Sequence, residues 1–456
     1  MRTLYATAMW ALRGITALAG LWGAKARARS RGAARALPAL SATPHETACY
    51  WMHCASEGEF EQGRPVWEAL MARHPDARFV LSFFSPSGYE RFAADARLGE
   101  VVYLPWDTGR TPSRWVGRLS PKLALFVKYE WWLGYHEALA AAGVPTVVVS
   151  AYLREFQPFG NTWGGLWRRA LGHAAQLFAG DAESARLARR WTSAERITHS
   201  GDTRVDRVCA LASEDWEDPL VRTWTRGQRA RGRLVLVAGS SWPAGERVLA
   251  EALRGDEALA LILVPHEVDA ASVRDSSDRF REFGVVTYSA SERATDMLHE
   301  SIADLAASGA SRPEREHTPP HAGESSARPE SSEPQALSRV LVVDRRGLLA
   351  YLYRYGDLAY VGGGFGAGVH STLEPAAYGL PVAVGPRYRR FGEATALAAA
   401  GVLTEVGDAT GLASWIEQHR GEARREDICR RARAHLAEAQ GATARIVEWL
   451  RSRGLA

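Results

Sequence analysis

The chain has 456 residues, of which 46% are hydrophobic and 24% charged, a composition typical of a globular protein long enough for two domains. Its formal net charge of +4 is small for this length, and no whole domain is basic, so we predict no nucleic-acid partner. The four cysteines, at positions 49, 54, 209 and 429, have neither a disulfide-like nor a zinc-like spacing, which favours reduced thiols and no structural metal.

The first 40 residues differ from the rest of the chain. Residues 3–22 are apolar and compatible with a helix, but Arg13 interrupts them, and a charge at the centre of a membrane-spanning helix is costly. Basic residues without any acid follow. We therefore predict an interfacial helix whose basic flank, Lys25 to Arg35, lies on anionic headgroups. The alternative is an amphipathic helix packed on the domain and followed by a disordered linker.

From Ala48 onward, short apolar runs typical of strands alternate with helical stretches, which predicts a parallel sheet covered by helices. The runs of the first series are CYWMHCA, RFVLSFFS, VVYLPW, LALFVKYE, TVVVSAY and QLFAG. Those of the second series are RLVLVAGSS, ALILVPHE, VVTYSA, VLVVD, LAYVGGG and PVAVGP. We predict an α/β protein with two Rossmann-like domains, 41–218 and 219–425, that face one another across a cleft.

Two further segments complete the predicted organisation. Residues 291–338 are rich in Pro, Ser, Glu and Arg and poor in apolar residues, so we expect a disordered surface insertion. Residues 426–456 are predicted to form a C-terminal helix.

Two glutamates follow strands of the first series. Ser56 with Glu59 three residues later fits a capping box, and Gly58 allows a tight turn; the other interpretation makes Glu59 a general base at the end of a strand. Glu130 is either a half-buried carboxylate paired with Lys128 or an arginine, or a second carboxylate of the cleft. Sequence spacing does not separate these alternatives.

Two small-residue loops in the second series are candidate anion sites. Gly239-Ser240-Ser241 lies between a strand and a helix, where backbone N–H groups can converge on an anion, although a plain βα turn is the alternative. The other loop, GGGFGAG, precedes His370 and Glu374, whose i, i+4 spacing predicts one helical face. There a carboxylate could accept both ribose hydroxyls, or it could simply be a surface Glu after a glycine turn. The spacing offers no third metal ligand, so we predict no metal.

In their order and spacing these motifs resemble those of the 3-deoxy-D-manno-octulosonic acid (Kdo) transferases of lipid A biosynthesis, a branch of the GT-B glycosyltransferases. The resemblance covers about residues 1–450 apart from the insertion. Its motifs are His53 to Phe60, Val127 to Trp132, Ser150 to Leu153, Gly201 to Asp206, Ala238 to Ser241, Leu261 to His266, and Gly362 to Pro386.

The resemblance implies an inverting, metal-independent enzyme without a cofactor, which moves Kdo from CMP-Kdo to a lipid A precursor, lipid IVA. It implies a place at the cytoplasmic face of the inner membrane, peripheral or held by a single helix. Glu59 would be the catalytic base, with Ser56, Gly58 and Glu130 on the acceptor side. The donor side would comprise Gly239, Ser240, Ser241, His266, Gly363, Gly364, Gly366, His370 and Glu374.

The chain departs from the family pattern at two places. Pro265-His266-Glu267 stands where many members have Pro-Arg-His, and a histidine supplies a positive charge only partly near neutral pH. Glu57 lies two residues before Glu59, and its charge would raise the pKa of Glu59 if both faced the cleft; we expect them to diverge. Another GT-B enzyme, such as a UDP-sugar transferase or an epimerase, and a non-catalytic membrane-associated protein remain alternatives.

Overall fold

The computed structural model describes residues 2–41, 47–161, 164–293 and 338–456. The chain divides into two units, Met1–Arg207 with Ala439–Ala456, and Val208–Glu438. Each unit contains one parallel seven-stranded sheet with helices, which confirms the predicted α/β class with two Rossmann-like sheets. Nearly all of the predicted insertion, 291–338, lies outside the described residues.

The sheet of the first unit has the strand order β3-β2-β1-β4-β5-β6-β7. Its strands are β1 Cys49–Cys54, β2 Arg78–Phe83, β3 Glu100–Tyr103, β4 Leu123–Val127, β5 Thr146–Ala151, β6 Gln176–Ala179 and β7 Ile197–His199. Its helices are α1 Arg2–Ala19, α2 Ala24–Ala39, α3 Glu57–Arg73, α4 Pro86–Phe92, α5 Thr111–Leu119, α6 Leu133–Ala141, α7 Gly165–His173 and α8 Ala182–Ala188, and α9 Thr203–Ser213 runs on into the second unit.

The middle of this sheet positions the two glutamates singled out in the sequence. Strands β1 and β4 are buried along their whole length, as expected for parallel strands covered on both faces. They pair directly, with His53 opposite Phe126. Because parallel strands end at the same edge of a sheet, the turn after β1, with Glu59, lies beside the turn after β4, with Glu130.

The sheet of the second unit has the order β10-β11-β9-β8-β12-β13-β14. Its strands are β8 Leu234–Ser241, β9 Leu259–Pro265, β10 Val285–Thr287, β11 Val340–Val342, β12 Leu358–Val361, β13 Val382–Val384 and β14 Leu403–Glu405. Its helices include α10 Pro219–Arg229, α11 Pro243–Arg254, α12 Ala270–Arg279, α13 Leu349–Leu352, α14 Leu373–Ala377, α15 Gly392–Ala399, α16 Ala409–Gln418 and α17 Glu422–Ala439. Strand β8 pairs with both β9 and β12, so the two small-residue loops follow neighbouring strands.

Two parts of the fold differ from the sequence-based expectation. Strands β7 and β14 were not predicted; each is a short edge strand, and their sequences, ITH and LTE, contain one aliphatic residue each, so they leave no apolar run. The C-terminal segment is not one helix, because Gly441 adopts φ 95° and separates α17 from a last helix, α18, Ala442–Ser452. Helix α18 packs on α3 and belongs to the first unit.

The basic flank is helical and is not a linker, and one of its arginines is buried. Arg29 on α2 is only 3% exposed, and its guanidinium lies 4.2 Å from the ring centroid of Phe84 and 4.5 Å from that of Trp106. The expectation that every basic residue from Lys25 to Arg35 lies on headgroups is therefore wrong for Arg29, since cation–π contacts hold it in the protein.

Helix α1 is held to the first unit by polar contacts and leaves much apolar surface open. The Tyr5 hydroxyl donates to Asp107 at 2.6 Å, and Arg2 pairs with Glu137 at 2.6 Å. The exposed apolar side chains of α1 and the turn after it are Leu4, Trp10, Leu12, Ile15, Leu18, Leu21 and Trp22. Within the described residues, no helix has the length and apolar character needed to cross a membrane.

Candidate active site

Glu59 lies in the first turn of α3, where the chain leaves the buried strand β1. Its carboxylate accepts a hydrogen bond from the backbone N–H of Ala55, with an N···O distance of 2.6 Å. Ser56 is the N-cap residue, but its side chain makes no capping hydrogen bond. The standard capping box is therefore not formed, and the Glu59 side chain is held by the turn that precedes the helix.

Glu130 is buried beside Glu59, at the end of the neighbouring strand. One of its oxygens, Oε2, accepts from the Trp132 indole N–H at 2.5 Å and lies 3.0 Å from Nε2 of His53. His53 is fully buried in β1, and its Nδ1 lies 3.0 Å from both oxygens of Ser82. The partners of Glu130 are thus a histidine and a tryptophan, and not the lysine or arginine that the sequence offered as an alternative.

The charge of Glu130 acts on the carboxylate of Glu59. The pKa of Glu59 is raised to about 8, mainly by burial and secondly by the charge of Glu130. The hydrogen bond from Ala55 and the charge of Lys128 oppose this shift without cancelling it. A carboxylate with such a pKa can take up a proton near neutral pH, which an ordinary surface glutamate does not. We call Glu59, Glu130, His53 and Trp132 the carboxylate cluster.

Glu57 turns away from this cluster, as predicted. Its carboxylate lies 3.7 Å from Arg91, and burial together with Glu130, not Glu57, accounts for the raised pKa of Glu59. Gly58 lies in the first turn of α3, and a Cβ placed there would meet open space, so the packing does not require glycine at this position.

In the second unit, the first small-residue loop is the bulged end of β8. The register with β9 shifts between Gly239 and Ser241, and Ser240 between them has φ 49°, the left-handed conformation that side chains rarely adopt. The Ser241 hydroxyl donates to the buried carboxylate of Glu246 at 2.7 Å, and Glu246 also pairs with Arg279. Side-chain contacts therefore hold the bulge in place.

The glycine-rich loop packs directly on this bulge. A Cβ at Gly362 would clash with the carbonyl oxygen of Ser240, and one at Gly364 would lie 2.6 Å from the backbone N of Gly385. Gly363 has φ 90°, and a Cβ on it would clash with the carbonyl oxygen at the end of the loop. Glycine is therefore required at these positions by close backbone approach.

His370 and Glu374 do not share a helical face, contrary to the prediction. Helix α14 begins only at Leu373, so His370 lies in the loop before it. Glu374 is in the first turn of α14 and near Tyr353, whose pKa is raised well above its usual value by burial and then by the charge of Glu374. The Tyr353 hydroxyl in turn occupies the space where Gly239 lacks a side chain.

Three aromatic rings meet beside the glycine-rich loop. The ring of His266 stacks on those of Trp242 and His370, with centroids 4.5 and 4.4 Å apart, and the Trp242 indole N–H donates to Nε2 of His370 at 3.1 Å. Burial lowers the pKa of His266, and burial with the nearby His266 lowers the pKa of His370 to about 4. Both imidazoles are therefore neutral at pH 7, and position 266 supplies no fixed cation.

A cavity of about 370 Å³ lies between the start of α11 and the glycine-rich loop. Its lining residues are Trp242, Pro243, Ala244, Gly245, Gly363, Phe365, Gly366, Ala367, Gly368 and His370. Helix α11 begins at Pro243, so its first free backbone N–H groups belong to Ala244 and Gly245. A helix N-terminus and a glycine-rich loop on one cavity make a site suited to an anion, and we call this cavity the anion cavity.

Of the predicted donor residues, the structure brings Gly363, Gly366 and His370 to the anion cavity. Ser241 and His266 line a second cavity of about 170 Å³, which also includes Trp242. The other four line neither of these two cavities but support the loops that do; they are Gly239, Ser240, Gly364 and Glu374.

Sequence reasoning missed an arginine next to the glycine-rich loop. A Cβ at Gly368 would lie 2.6 Å from Nη2 of Arg390, so that guanidinium packs on the loop. The two nearby arginines have partners within the protein: Arg387 donates to the carbonyl of Gly366, and Arg389 pairs with Glu405 at 2.8 Å. Among the described residues, no acidic side chain pairs with Arg390. The three arginines of PRYRRF were the feature of the sequence that could have indicated a cation next to the loop.

The role of His53 was missed as well, because it was treated only as part of a motif. The sequence could have indicated this role, because His53 is the one histidine of the buried strand CYWMHC and a buried imidazole needs hydrogen-bond partners for its nitrogens. Within the described part of the chain, no three His, Cys, Asp or Glu side chains lie together as a metal site would require. Metal independence stays a prediction.

Comparison with known proteins finds similarity to the same family that the motifs resemble. Residues 26–207 match the family described as 3-deoxy-D-manno-octulosonic-acid transferase (kdotransferase). The chain is 27% identical to a 3-deoxy-D-manno-octulosonic acid transferase of Bordetella pertussis over 97% of this chain and 95% of that protein. It is 24% identical to one of Aquifex aeolicus (strain VF5) over 74% of this chain and 75% of that protein.

Solved structures with a similar fold include two UDP-N-acetylglucosamine 2-epimerases. That of Neisseria meningitidis, bound to UDP-GlcNAc, has a TM-score of 0.55 and covers 89% of this chain and 100% of its own. A putative one from Listeria monocytogenes has a TM-score of 0.54 and covers 89% of this chain and 96% of its own. Each is 11% identical to this chain, so the likeness shows the two-domain α/β fold alone. By its sequence, the chain is similar to 3-deoxy-D-manno-octulosonic acid transferases, along nearly its whole length in one relative and in the first unit by the family model.

Proposed function

We propose that this protein transfers Kdo from CMP-Kdo to a hydroxyl of a lipid A precursor, lipid IVA, with inversion and without a metal or a cofactor. The observation that carries the proposal is Glu59, a carboxylate whose pKa is raised to about 8 next to Glu130. A general base of a transferase needs this property, because it must accept the proton of the acceptor hydroxyl near neutral pH.

In this mechanism, Glu59 takes the proton from the acceptor hydroxyl as its oxygen forms a bond to the anomeric carbon of Kdo. The bond between that carbon and the phosphate oxygen breaks, and CMP leaves with the electron pair. The charge of Glu130 raises the affinity of Glu59 for the proton, and His53 and Trp132 hold Glu130 in place.

The second unit would hold the donor. The start of α11 and the glycine-rich loop offer backbone N–H donors around the anion cavity, where the charge developing on the CMP phosphate would be stabilised. Since His266 and His370 are neutral, Arg390 is the cation best placed to complement that charge. Arg390 also lines an open cavity of about 360 Å³ that shares Gly366 with the anion cavity.

The proposal is tested by supplying CMP-Kdo generated in situ and a tetraacyl disaccharide bisphosphate to the full chain and reading the products by mass. We expect addition of Kdo to the acceptor, with CMP released. UDP-GlcNAc is supplied in a parallel reaction, because the solved structures with a similar fold include epimerases of that sugar. Epimerisation of UDP-GlcNAc without Kdo transfer would overturn the proposal.

The pH dependence of transfer should follow Glu59. Because the base must be ionised, the rate should rise with pH toward a plateau above the pKa of about 8. Glu130→Gln removes the charge that is the second cause of the raised pKa, while its amide oxygen can still accept from Trp132. The midpoint of the rate profile should therefore move to lower pH in this variant. A midpoint that stays in place would mean that the charge of Glu130 is unimportant.

The positive charge of Arg390 is expected to contribute to CMP affinity. Replacing Arg390 by Gln should weaken CMP binding about tenfold, because a charge-assisted contact to phosphate is lost. Arg389→Gln is the matched control, since Arg389 is the adjacent residue and pairs with Glu405. Isothermal titration calorimetry with CMP measures both. Equal losses in the two variants would show that net charge, and not the position of Arg390, matters.

We also propose that α1 lies on the anionic surface of the inner membrane. Its exposed apolar side chains are suited to the interface, and the exposed Arg31 and Arg35 on α2 to acidic headgroups. Changing Ile15 and Leu18 to Ser should reduce binding to phosphatidylglycerol vesicles about 10²–10⁴-fold, since each buried aliphatic side chain contributes about 1.5–3 kcal/mol.

Cosedimentation with vesicles measures this effect. The control is Phe156→Ser, because Phe156 is 84% exposed but lies far from α1 in sequence, between β5 and α7. If this control loses as much vesicle binding as the α1 variant, the helix is not the membrane contact.

A further inference from the structure

Trp242 has no role in the mechanism above, yet it makes the only side-chain hydrogen bond that His370 forms within the described residues. It is 42% exposed and lines both the anion cavity and the smaller cavity beside it. It is also the N-cap residue of α11, although its side chain makes no capping bond. These contacts place it between the helix start and the glycine-rich loop.

The direction of the Trp242–His370 hydrogen bond is fixed by chemistry. An indole N–H can only donate, so Nε2 of His370, 3.1 Å away, must accept and cannot carry a proton. A neutral imidazole then carries its proton on Nδ1. The stacked ring of His266, 4.4 Å from that of His370, and the backbone of Gly363 confine the imidazole further.

We propose that Trp242 is a positioning residue that fixes the tautomer of His370, so that Nδ1–H is presented as a neutral donor to a phosphate oxygen of the ligand in the anion cavity. The identity of the ligand in this inference rests on the proposed function, whereas the tautomer of His370 does not depend on it. Within the described residues, Nδ1 of His370 has no hydrogen-bond partner in the protein, and His370 lines the cavity together with the N-terminus of α11. An N–H fixed in this way adds a donor to the backbone groups without adding a charge.

The test separates the indole N–H from the indole ring. Trp242→Phe keeps an aromatic ring for stacking on His266 but removes the donor. The control is Trp216→Phe, because Trp216 lies in the same unit and stacks on Tyr351 at 4.7 Å, away from both cavities. Selective ¹⁵N and ¹³C labelling of histidine reports the tautomer, and the His370 signals are identified by their loss in His370→Gln.

We expect wild type and Trp216→Phe to show the Nδ1–H tautomer at His370, and Trp242→Phe to shift toward Nε2–H. Affinity for CMP should fall about tenfold in Trp242→Phe only, as for the loss of one well-placed hydrogen bond. An unchanged tautomer in Trp242→Phe would overturn the proposal, and so would a changed tautomer with unchanged CMP affinity.

The NMR measurement and the CMP titration test different parts of the proposal. If wild type binds no CMP, both the proposed donor and the proposed contact between His370 and its phosphate are wrong. The NMR signals still decide whether Trp242 fixes the tautomer of His370. If CMP binds but His370 carries its proton on Nε2 in wild type, the proposed function survives and the inference about Trp242 does not.

Discussion

Replacing Glu59 by Gln is expected to reduce Kdo transfer by about 10²–10⁴-fold, the usual contribution of a general base. The amide cannot accept the proton of the acceptor hydroxyl, but it has the same shape and its oxygen can still accept from the Ala55 N–H. The initial rate of transfer measures the effect, with CMP affinity as the control that the second unit is intact. Retention of more than about a tenth of the rate would remove Glu59 from the role of base.

The same Glu59→Gln variant should change stability in the opposite direction to activity. The pKa of Glu59 is raised from its ordinary value of 4.5 to about 8 on folding, so the folded protein holds this proton more tightly than the unfolded chain. Wild type therefore loses stability as pH rises from about 4.5 to 8, and the Gln variant lacks this loss. We expect a higher Tm for the variant at pH 8 and a smaller difference at pH 5. A lower Tm at pH 8 would contradict the raised pKa.

Replacing Gly362 by Ala should have the largest effect in the second unit. The new methyl group would clash with the Ser240 carbonyl oxygen and lie 2.9 Å from the Cα of Ser241, and both are backbone atoms that cannot rotate away. The ends of β8 and β12 would have to separate, although they are joined by the bond from the Gly362 N–H to the Gly239 carbonyl at 2.9 Å. We expect the free energy of unfolding to fall by about 1–3 kcal/mol, as in other overpacked sites.

CMP affinity should fall by more than about tenfold in Gly362→Ala, because the loop that lines the anion cavity moves with its first residue. Gly407→Ala is the control, since a Cβ at Gly407 meets no atom within 4 Å. Denaturant unfolding and calorimetric titration measure the two effects. Normal CMP binding by a folded Gly362→Ala protein would show that the glycine-rich loop does not hold the nucleotide.

The sequence alone determined the fold class and the place of most elements. Buried parallel strands appear as uninterrupted apolar runs, as in CYWMHC and LALFV, and a parallel connection between them requires a covering helix. Glu59, Glu130 and the glycine-rich loop could be singled out because they follow such runs. The edge strands β7 and β14 could not be predicted, since ITH and LTE contain one aliphatic residue each and so form no apolar run.

Only the tertiary structure decided which side chains lie together and what surrounds them. The spacing of Ser56 and Glu59 does not separate a cap from a base. The raised pKa of Glu59 depends in part on Glu130, which is distant in sequence and whose charge reaches Glu59 because β1 and β4 pair. The three stacked rings beside the glycine-rich loop likewise meet through the pairing of β8 with β9 and β12. A pKa or a tautomer depends on burial and on partners far away along the chain, and local patterns carry neither.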